Sequence, residues 1–428
     1  MKVLTYPSGK LSGVISVPGD KSISHRAIMF ASLASGTTKV TNFLAGEDCL
    51  STIDAFKAMG VEITRNNDSV QIKSNGVNGL KEPLEPINLG NSGTTARLLM
   101  GILSALPFHF TLFGDASLTK RPMDRITNPL KKMGAIIDGR EDGKYLPIAI
   151  RGTNLKPIDY HTPMKSAQVK SGVLLAGLLT DGVTTVTEDT KTRDHTENML
   201  KAFGAKINVD GTKISIDGNH PLHACDIEVP GDISSAAFFL VAATIIEGSE
   251  ITIKDVGLNP TRSGIIDVLQ LMGANIRVEE NRQVGGELIG DIVVKSSNIQ
   301  SAVIEGDIIP RIIDEIPIIA LMATQAEGTT IIKDAEELRF KETDRIDSVV
   351  STLSALGASI EATADGMIIK GKTKLHGNIT KSFGDHRIGM MIAIASLLTD
   401  EKVELEDEAC IAVSYPTFFN DLDRLISN

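Results

Sequence analysis

ISHRAIMFASLAS (residues 23–35) opens on polar and charged residues, runs on through mostly apolar ones and stops at Gly36. The same layout recurs in SGTTARLLMGILSAL (92–106), SAQVKSGVLLAGLL (166–179), SSAAFFLVAATII (234–246), DEIPIIALMATQA (314–326) and DHRIGMMIAIASLL (385–398), with turns at Pro107, Gly182, Gly248, Gly328 and Asp400. Six copies about 70 residues apart mean one structural unit used six times. Each copy is apolar on nearly every side, so each predicts a helix in an interior rather than at a surface.

A second helix pattern interleaves with the first: DAFKAMGVEI, NPLKKMGAII, NMLKAFGAKI, DVLQLMGANI and STLSALGASI. Each ends at a glycine, Gly60, Gly134, Gly204, Gly273 or Gly357, where a left-handed cap would close the helix, and a strand begins just after. A repeat therefore reads buried helix, strand, amphipathic helix, strand, strand. Helices then lie inside and sheets outside, with three buried helices per domain aiming their starts the same way. The near-copies SVPGDKS (16–22) and EVPGDIS (228–234) stand 212 positions apart, half the chain. They mark two crossings between domains spanning 20–229 and 1–19 plus 230–428, so the N-terminal strand goes with the second half.

The chain has 428 residues, too many for one ordinary core. A net charge of −11, 4% aromatic residues and no Trp argue against a nucleic-acid partner. Three scattered cysteines without a CxxC exclude a disulfide framework and a zinc knuckle. The eight histidines show no HExxH spacing, and no Walker-type or GxSxG motif occurs. The opening MKVLTYPSGK lacks a signal-peptide layout, and the apolar helices, 11 to 15 residues, are too short for a bilayer. The expectation is a soluble cytoplasmic protein without metal or cofactor.

Cations collect where helices start, which the helix dipole disfavours by a few tenths of a kcal/mol or about 1 kcal/mol each. PGDKSISHR brings Lys21, Ser22 and Arg26. LGNSGTTAR offers Gly90, Asn91, Ser92 and Gly93 as a turn with exposed N–H groups. In LTKRPMDRI, Pro122 suits the first helical position and makes Arg121 the cap residue. KSAQVKS adds Ser166 and Gln168, TRDHTENML adds Arg193, and GDHRIGM adds His386 and Arg387. In ELRFKETDRI, Lys341 and Arg345 are four apart, which predicts two like charges on one helical face, with Glu342 one turn from Arg345. Asp314 is expected to begin the fifth buried helix. Converging helix starts with cations suit a multiply anionic ligand, and two carboxylates among them suit proton transfer.

GDKSISHR, LGNSGTTAR, KRPM, SAQVKS, TRDHTENML, DEIP, RFKETDRI and GDHR, in this order over essentially the whole chain, resemble the 5-enolpyruvylshikimate-3-phosphate synthase family, in its class II branch. The resemblance implies an α/β, two-domain enolpyruvyl transferase fold. It would contain six βαβαββ repeats, an inside-out α/β barrel with three repeats per domain and the active site in the interdomain cleft. It implies transfer of the enolpyruvyl group of phosphoenolpyruvate to the 5-hydroxyl of shikimate 3-phosphate, with release of phosphate. Lys21, Lys341, Asp314 and Glu342 would be catalytic. Lys21, Ser22, Arg26, Ser166, Ala167, Gln168, Arg193, Asp314 and Lys341 would contact shikimate 3-phosphate. Lys21, Gly93, Arg121, Gln168, Arg345, His386 and Arg387 would hold phosphoenolpyruvate. A monomer with glyphosate as competitor is implied too.

One departure is Val413, which stands before Ser414, Tyr415 and Pro416 where many relatives have a Lys. The nearest alternative, an enolpyruvyl transferase acting on UDP-N-acetylglucosamine, typically has a Cys in the loop before Arg-Pro; here Ala116 occupies that position. An RNA-end phosphate cyclase is disfavoured by the acidic charge. A non-enzymatic anion binder would have no use for Asp314 and Glu342 among cations.

Overall fold

Five of the buried helices begin where a side chain takes up an orphan N–H group. The computed structural model describes residues 1–6 and 9–426. Its six interior helices are α1 (Lys21–Leu33), α2 (Gly93–Ser104), α3 (Ala167–Leu178), α4 (Ile233–Ile245), α5 (Ile316–Thr324) and α6 (His386–Ala395). Asp20, Ser92, Ser166, Asp232 and Asp385 each accept a backbone N–H from the first turn, a cap worth about 1 kcal/mol. α5 alone starts otherwise, with Glu315 giving no side-chain cap and a proline in its first turn.

The helix ends are closed from within the repeat. The N–H groups of Thr153, Asn219, Ser297 and Thr373, each just past a strand, donate to the last helical carbonyls or their neighbours at Ser104, Leu178, Thr244 and Thr324 (2.8–3.0 Å). The amphipathic helices Glu47–Ala58, Asp124–Lys132, His195–Ala202, Gly264–Leu271 and Arg345–Ala355 are all followed by the expected glycine. Those glycines have φ between +85° and +101°, a conformation an L side chain resists.

Among the described residues six sheets follow one pairing scheme, one of them with only three of its strands. In the sheet of Asp159–His161, Val183–Thr187, Lys213–Asp217 and Lys206–Asp210, the first two strands are parallel and the rest antiparallel. The sheets built on His109–Phe113 and Gly328–Ile332 repeat it. The remaining three borrow a strand from far along the chain. Leu222–His223 pairs with Ala34–Thr41, Ser12–Ser16 with Glu250–Gly257, and Lys2–Leu4 with Val403–Glu406.

The chain forms two units, each with its own core. The central unit holds residues 19–229 and 284–287; the terminal unit holds 1–18, 230–283 and 288–428. In the central unit α2 and α3 touch backbone to backbone. A Cβ on Gly101 would lie 2.1 Å from the Gly172 carbonyl oxygen, so neither position accepts a side chain without moving a helix. In the terminal unit every residue of α4 from Ile233 to Thr244 is buried. Cys410 lies in a 3₁₀ turn, Glu408–Val413. Among the described residues no helix is long and apolar enough to cross a membrane, and no group of three His, Cys, Asp or Glu could hold a metal ion.

Candidate active site

In the terminal unit the chemistry gathers on one guanidinium. Arg345 is 1% exposed. Its Nε donates to Asp385 Oδ2 (2.8 Å), Nη1 to Asp314 Oδ1 (3.1 Å), and Nη2 to Glu342 Oε2 (2.6 Å) and Asp385 Oδ1 (3.3 Å). Four of the five donors of an Arg fork are thus spent on three carboxylates. Burial alone would lower its pKa, but Asp385, Glu342 and Asp314 together drive it above the ordinary arginine range. Lys341 Nζ stands 3.4 Å from the same Asp314 oxygen. Asp314, Lys341 and Glu342 keep 15%, 27% and 20% of their side-chain surface. They can therefore meet a ligand, and the buried Arg345 holds the two carboxylates in place.

Three local expectations are corrected. Lys341 and Arg345 do not share a helical face. Glu336–Phe340 is a 3₁₀ turn, Lys341 is extended, and the helix begins at Arg345 behind the cap Asp344. Two cations spaced four apart would repel on a helix; here the chain bends and carboxylates come between them. Arg121 is not a helix cap, because the next helix starts at Asp124 behind Met123; Arg121 instead closes the 3₁₀ turn Leu118–Lys120. Asp314 precedes α5 by two residues, leaving its carboxylate for Arg345 and Lys341 rather than for helix N–H groups.

His386 and Arg387 open α6, both almost fully buried. Arg387 Nη1 donates to the Ser234 carbonyl (3.1 Å), and its guanidinium lies 5.9 Å from the Phe238 ring centroid, in cation–π range.

The central unit carries the second cluster, on the starts of α1, α2 and α3. Lys21 Nζ pairs with Asp48 Oδ2 at 2.5 Å, which reconciles a cation with a helix start. Arg26 donates to Thr196 Oγ1 (2.7 Å), the Ser22 carbonyl (3.0 Å) and Ser171 Oγ (3.0 Å). These acceptors are neutral, so burial lowers Arg26 to about 10, against the pull of Glu197 and Asp20 and with the push of Arg193. Such a guanidinium gains from an incoming anion. The neighbouring His25, buried beside Lys21 and Arg26, is held well below 6.5 and is neutral.

Gln168 joins the other two helices: its Oε1 accepts from Arg97 Nη1 (2.5 Å) and its Nε2 donates to Thr94 Oγ1 (3.0 Å). Arg121 is braced by Asn91 Oδ1 (2.6 Å) and Ser117 Oγ (3.2 Å). A Cβ at Gly93 would come within 3.1 Å of Arg97 Nη1 and 3.4 Å of Arg121 Nη1, so glycine leaves both guanidinium groups room. Ser166 caps α3 through Val169 N (3.4 Å), and Ala167 and Gln168 are its first two residues.

Several residues of the two clusters were not singled out in the sequence. Arg97 ends the LGNSGTTAR motif and Asp385 sits within GDHR, yet neither had a local signal beyond its charge. Lys170, inside SAQVKS, is fully buried between Glu188 Oε2 (2.9 Å) and Glu197 Oε1 (2.8 Å). Asp48, Ser171, Thr196 and Arg262 are paired only through the fold.

Comparison with known proteins fits this picture. The family model described as EPSP synthase (3-phosphoshikimate 1-carboxyvinyltransferase) matches residues 5–422. The chain is 59% identical to the 3-phosphoshikimate 1-carboxyvinyltransferase of Oceanobacillus iheyensis over 419 residues, 98% of each chain. It is 58% identical to that of Bacillus subtilis over 416 residues, 97% of each. Among solved structures, EPSP synthase from Acinetobacter baumannii superposes with a TM-score of 0.88 at 45% identity, covering 99% of this chain and 97% of that one. The enolpyruvyl transferase NikO from Streptomyces tendae, at 18% identity and TM-score 0.78 over 99% and 97%, shares the fold. A match over nearly the whole length, with identity well above that needed for common descent, makes the chain a member of the EPSP synthase (3-phosphoshikimate 1-carboxyvinyltransferase) family.

Proposed function

We infer that this protein transfers the enolpyruvyl group of phosphoenolpyruvate to the 5-hydroxyl of shikimate 3-phosphate. The observation that carries the reading is the pair of carboxylates, Asp314 and Glu342, held on one buried guanidinium, Arg345. An anion-binding protein has no use for two carboxylates amid cations; an addition–elimination reaction does. The hydroxyl must lose a proton as its oxygen attacks C2, and the methylene carbon C3 must gain one. In the second half C3 loses a proton as the C2–O bond breaks and phosphate leaves. Asp314 takes the hydroxyl proton, and Lys341 with Glu342 exchanges protons with C3. Developing positive charge at C2 is stabilised by the carboxylates and the departing phosphate by cations.

In the same reading Lys21, Ser22, Arg26, Ser166, Ala167, Gln168 and Arg193 bind shikimate 3-phosphate. Lys21, Gly93, Arg121, Gln168, Arg345, His386 and Arg387 bind phosphoenolpyruvate, and glyphosate competes for that place. The two clusters serve one reaction, and the enzyme works as a cytoplasmic monomer. Ala116, where the UDP-N-acetylglucosamine enzymes typically have Cys, supports the shikimate substrate. The test is phosphate release from phosphoenolpyruvate. It is expected with shikimate 3-phosphate and absent with UDP-N-acetylglucosamine or with neither; turnover of the UDP-sugar would sink the reading.

A further inference from the structure

The near-copies SVPGDKS and EVPGDIS carry opposite halves of an ion pair. In the first, the cation is on the helix, Lys21, and its carboxylate Asp48 comes from the next helix. In the second, Ile233 stands where Lys21 does, the helix start keeps only the capping Asp232, and the cation comes from the following loop, Arg262. Arg262 is 2% exposed. Its Nη2 donates to Ser234 Oγ (2.6 Å) and Asp232 Oδ1 (3.2 Å). Its Nη1 lies 3.7 Å from Asp314 Oδ2.

The two oxygens of Asp314 are therefore addressed from different sides. Oδ1 faces Lys341 and Arg345, and Oδ2 faces Arg262. We propose that Arg262 is a positioning residue for Asp314, fixing the plane of its carboxylate so that it takes the hydroxyl proton in one geometry. This rests on Asp314 acting as the proton acceptor. A guanidinium is planar and rigid. Tied at one end to Asp232 and Ser234, it cannot follow the carboxylate, so the carboxylate orients to it. The other charged groups nearby are accounted for. Lys341 and Arg345 sit on Oδ1, Glu342 and Asp385 are on Arg345, Asp232 is on Arg262, and Glu315 bonds Ser234. Among the described residues, Arg262, Lys341 and Arg345 form ion pairs with Asp314, and of these three Arg262 has no place among the groups assigned to substrate.

The test uses the full chain with Arg262→Met, Arg262→Lys, Asp314→Asn and the double variant Arg262→Met/Asp314→Asn. kcat, the KM of each substrate and the melting temperature are measured. Arg262→Met is expected to lower kcat about 10- to 100-fold, the range seen when a supporting contact misplaces a reacting group, with each KM within about threefold. Arg262→Lys, which keeps the charge without the fork, should fall between parent and Met. On the Asp314→Asn background, Arg262→Met should cost less than about twofold more, because coupled residues are non-additive. A raised KM with unchanged kcat, or a full additive loss in the double variant, would overturn the proposal. If Arg262→Met does not fold, the Lys variant decides by the same kcat-against-KM split. Failure of the underlying reading looks different: the parent releases no phosphate, or Asp314→Asn keeps parental kcat.

Discussion

Replacing Lys170 by methionine removes the cation from a buried three-group cluster and leaves its two carboxylates behind. Lys170 is wholly buried, with Glu188 and Glu197 at 2.9 and 2.8 Å and the Thr192 carbonyl at 3.3 Å. Burial pulls its pKa down, but Glu197 and Glu188 outweigh burial and raise it above 10.5. Its contribution to stability is therefore fully present below 10.5 and is lost only as pH rises through the higher folded value. Breaking a buried pair by removing one partner costs about 3–5 kcal/mol. For a unit of this size each kcal/mol moves the melting temperature by about 2–4 °C, so Lys170→Met should melt about 6–20 °C lower. Adding Glu188→Gln and Glu197→Gln should recover most of that loss, because the cost lies in the stranded charges. Calorimetry of parent, single and triple variants checks this. A Lys170→Met loss below about 1 kcal/mol, or no recovery in the triple variant, would refute the reasoning.

His25 gives the acid-side counterpart. Its folded pKa is depressed, so the unfolded chain takes up a proton that the folded one refuses, and stability falls as pH drops below 6.5. His25→Gln should flatten urea-unfolding stability against pH between 6.5 and 5 by up to about 1.4 kcal/mol per unit; an unchanged slope would mean the imidazole accepts its proton in the folded state. Thiol chemistry should be silent. Burial raises Cys410 to about 11 and, with Asp226, raises Cys225, while Cys49 is buried. An epoxide mimic of phosphoenolpyruvate at pH 7.5 should leave phosphate release intact, and stoichiometric inactivation would contradict that.

The repeated fold was legible because its signals are local. Apolar runs at a fixed period, and glycines that need positive φ at Gly60, Gly134, Gly204, Gly273 and Gly357, can be read within ten residues. What was misread near the sites was also local in form but decided elsewhere. KETDRI has the spacing of a helix, yet Asp344 is the true cap, and it turns Lys341 out of the helix because Asp314 and Asp385 draw Arg345 inward. Arg121 looked like a cap because a proline follows it, but Asn91, 30 residues away, fixes it. Partners such as Asp48, Glu188, Glu197 and Arg262 were beyond reach for the same reason. They are joined to Lys21, Lys170 and Asp314 by the meeting of helix starts, which no window of sequence contains. The charges that looked ill-placed on helix starts were legible as an anomaly, and its resolution was not: Lys21 is matched by Asp48 and Arg345 by Asp314 and Asp385, while Arg26, Arg121 and Arg387 donate to neutral oxygens.

The strands borrowed from far along the chain set an order of events during synthesis. Lys2–Leu4 and Ser12–Ser16 leave the ribosome well before their partners, Val403–Glu406 and Glu250–Gly257. At about 5–20 residues per second, the first strand waits about 20–80 s for its neighbour. Throughout that time the central unit can complete its own core, because all three of its sheets are closed by residues 34–228. The terminal unit cannot, so its first two strands travel as unpaired edges. Both segments are short, and Lys2 within the first and Lys10 just before the second supply charge, a form that blunts edge-to-edge association while the partner is still being made.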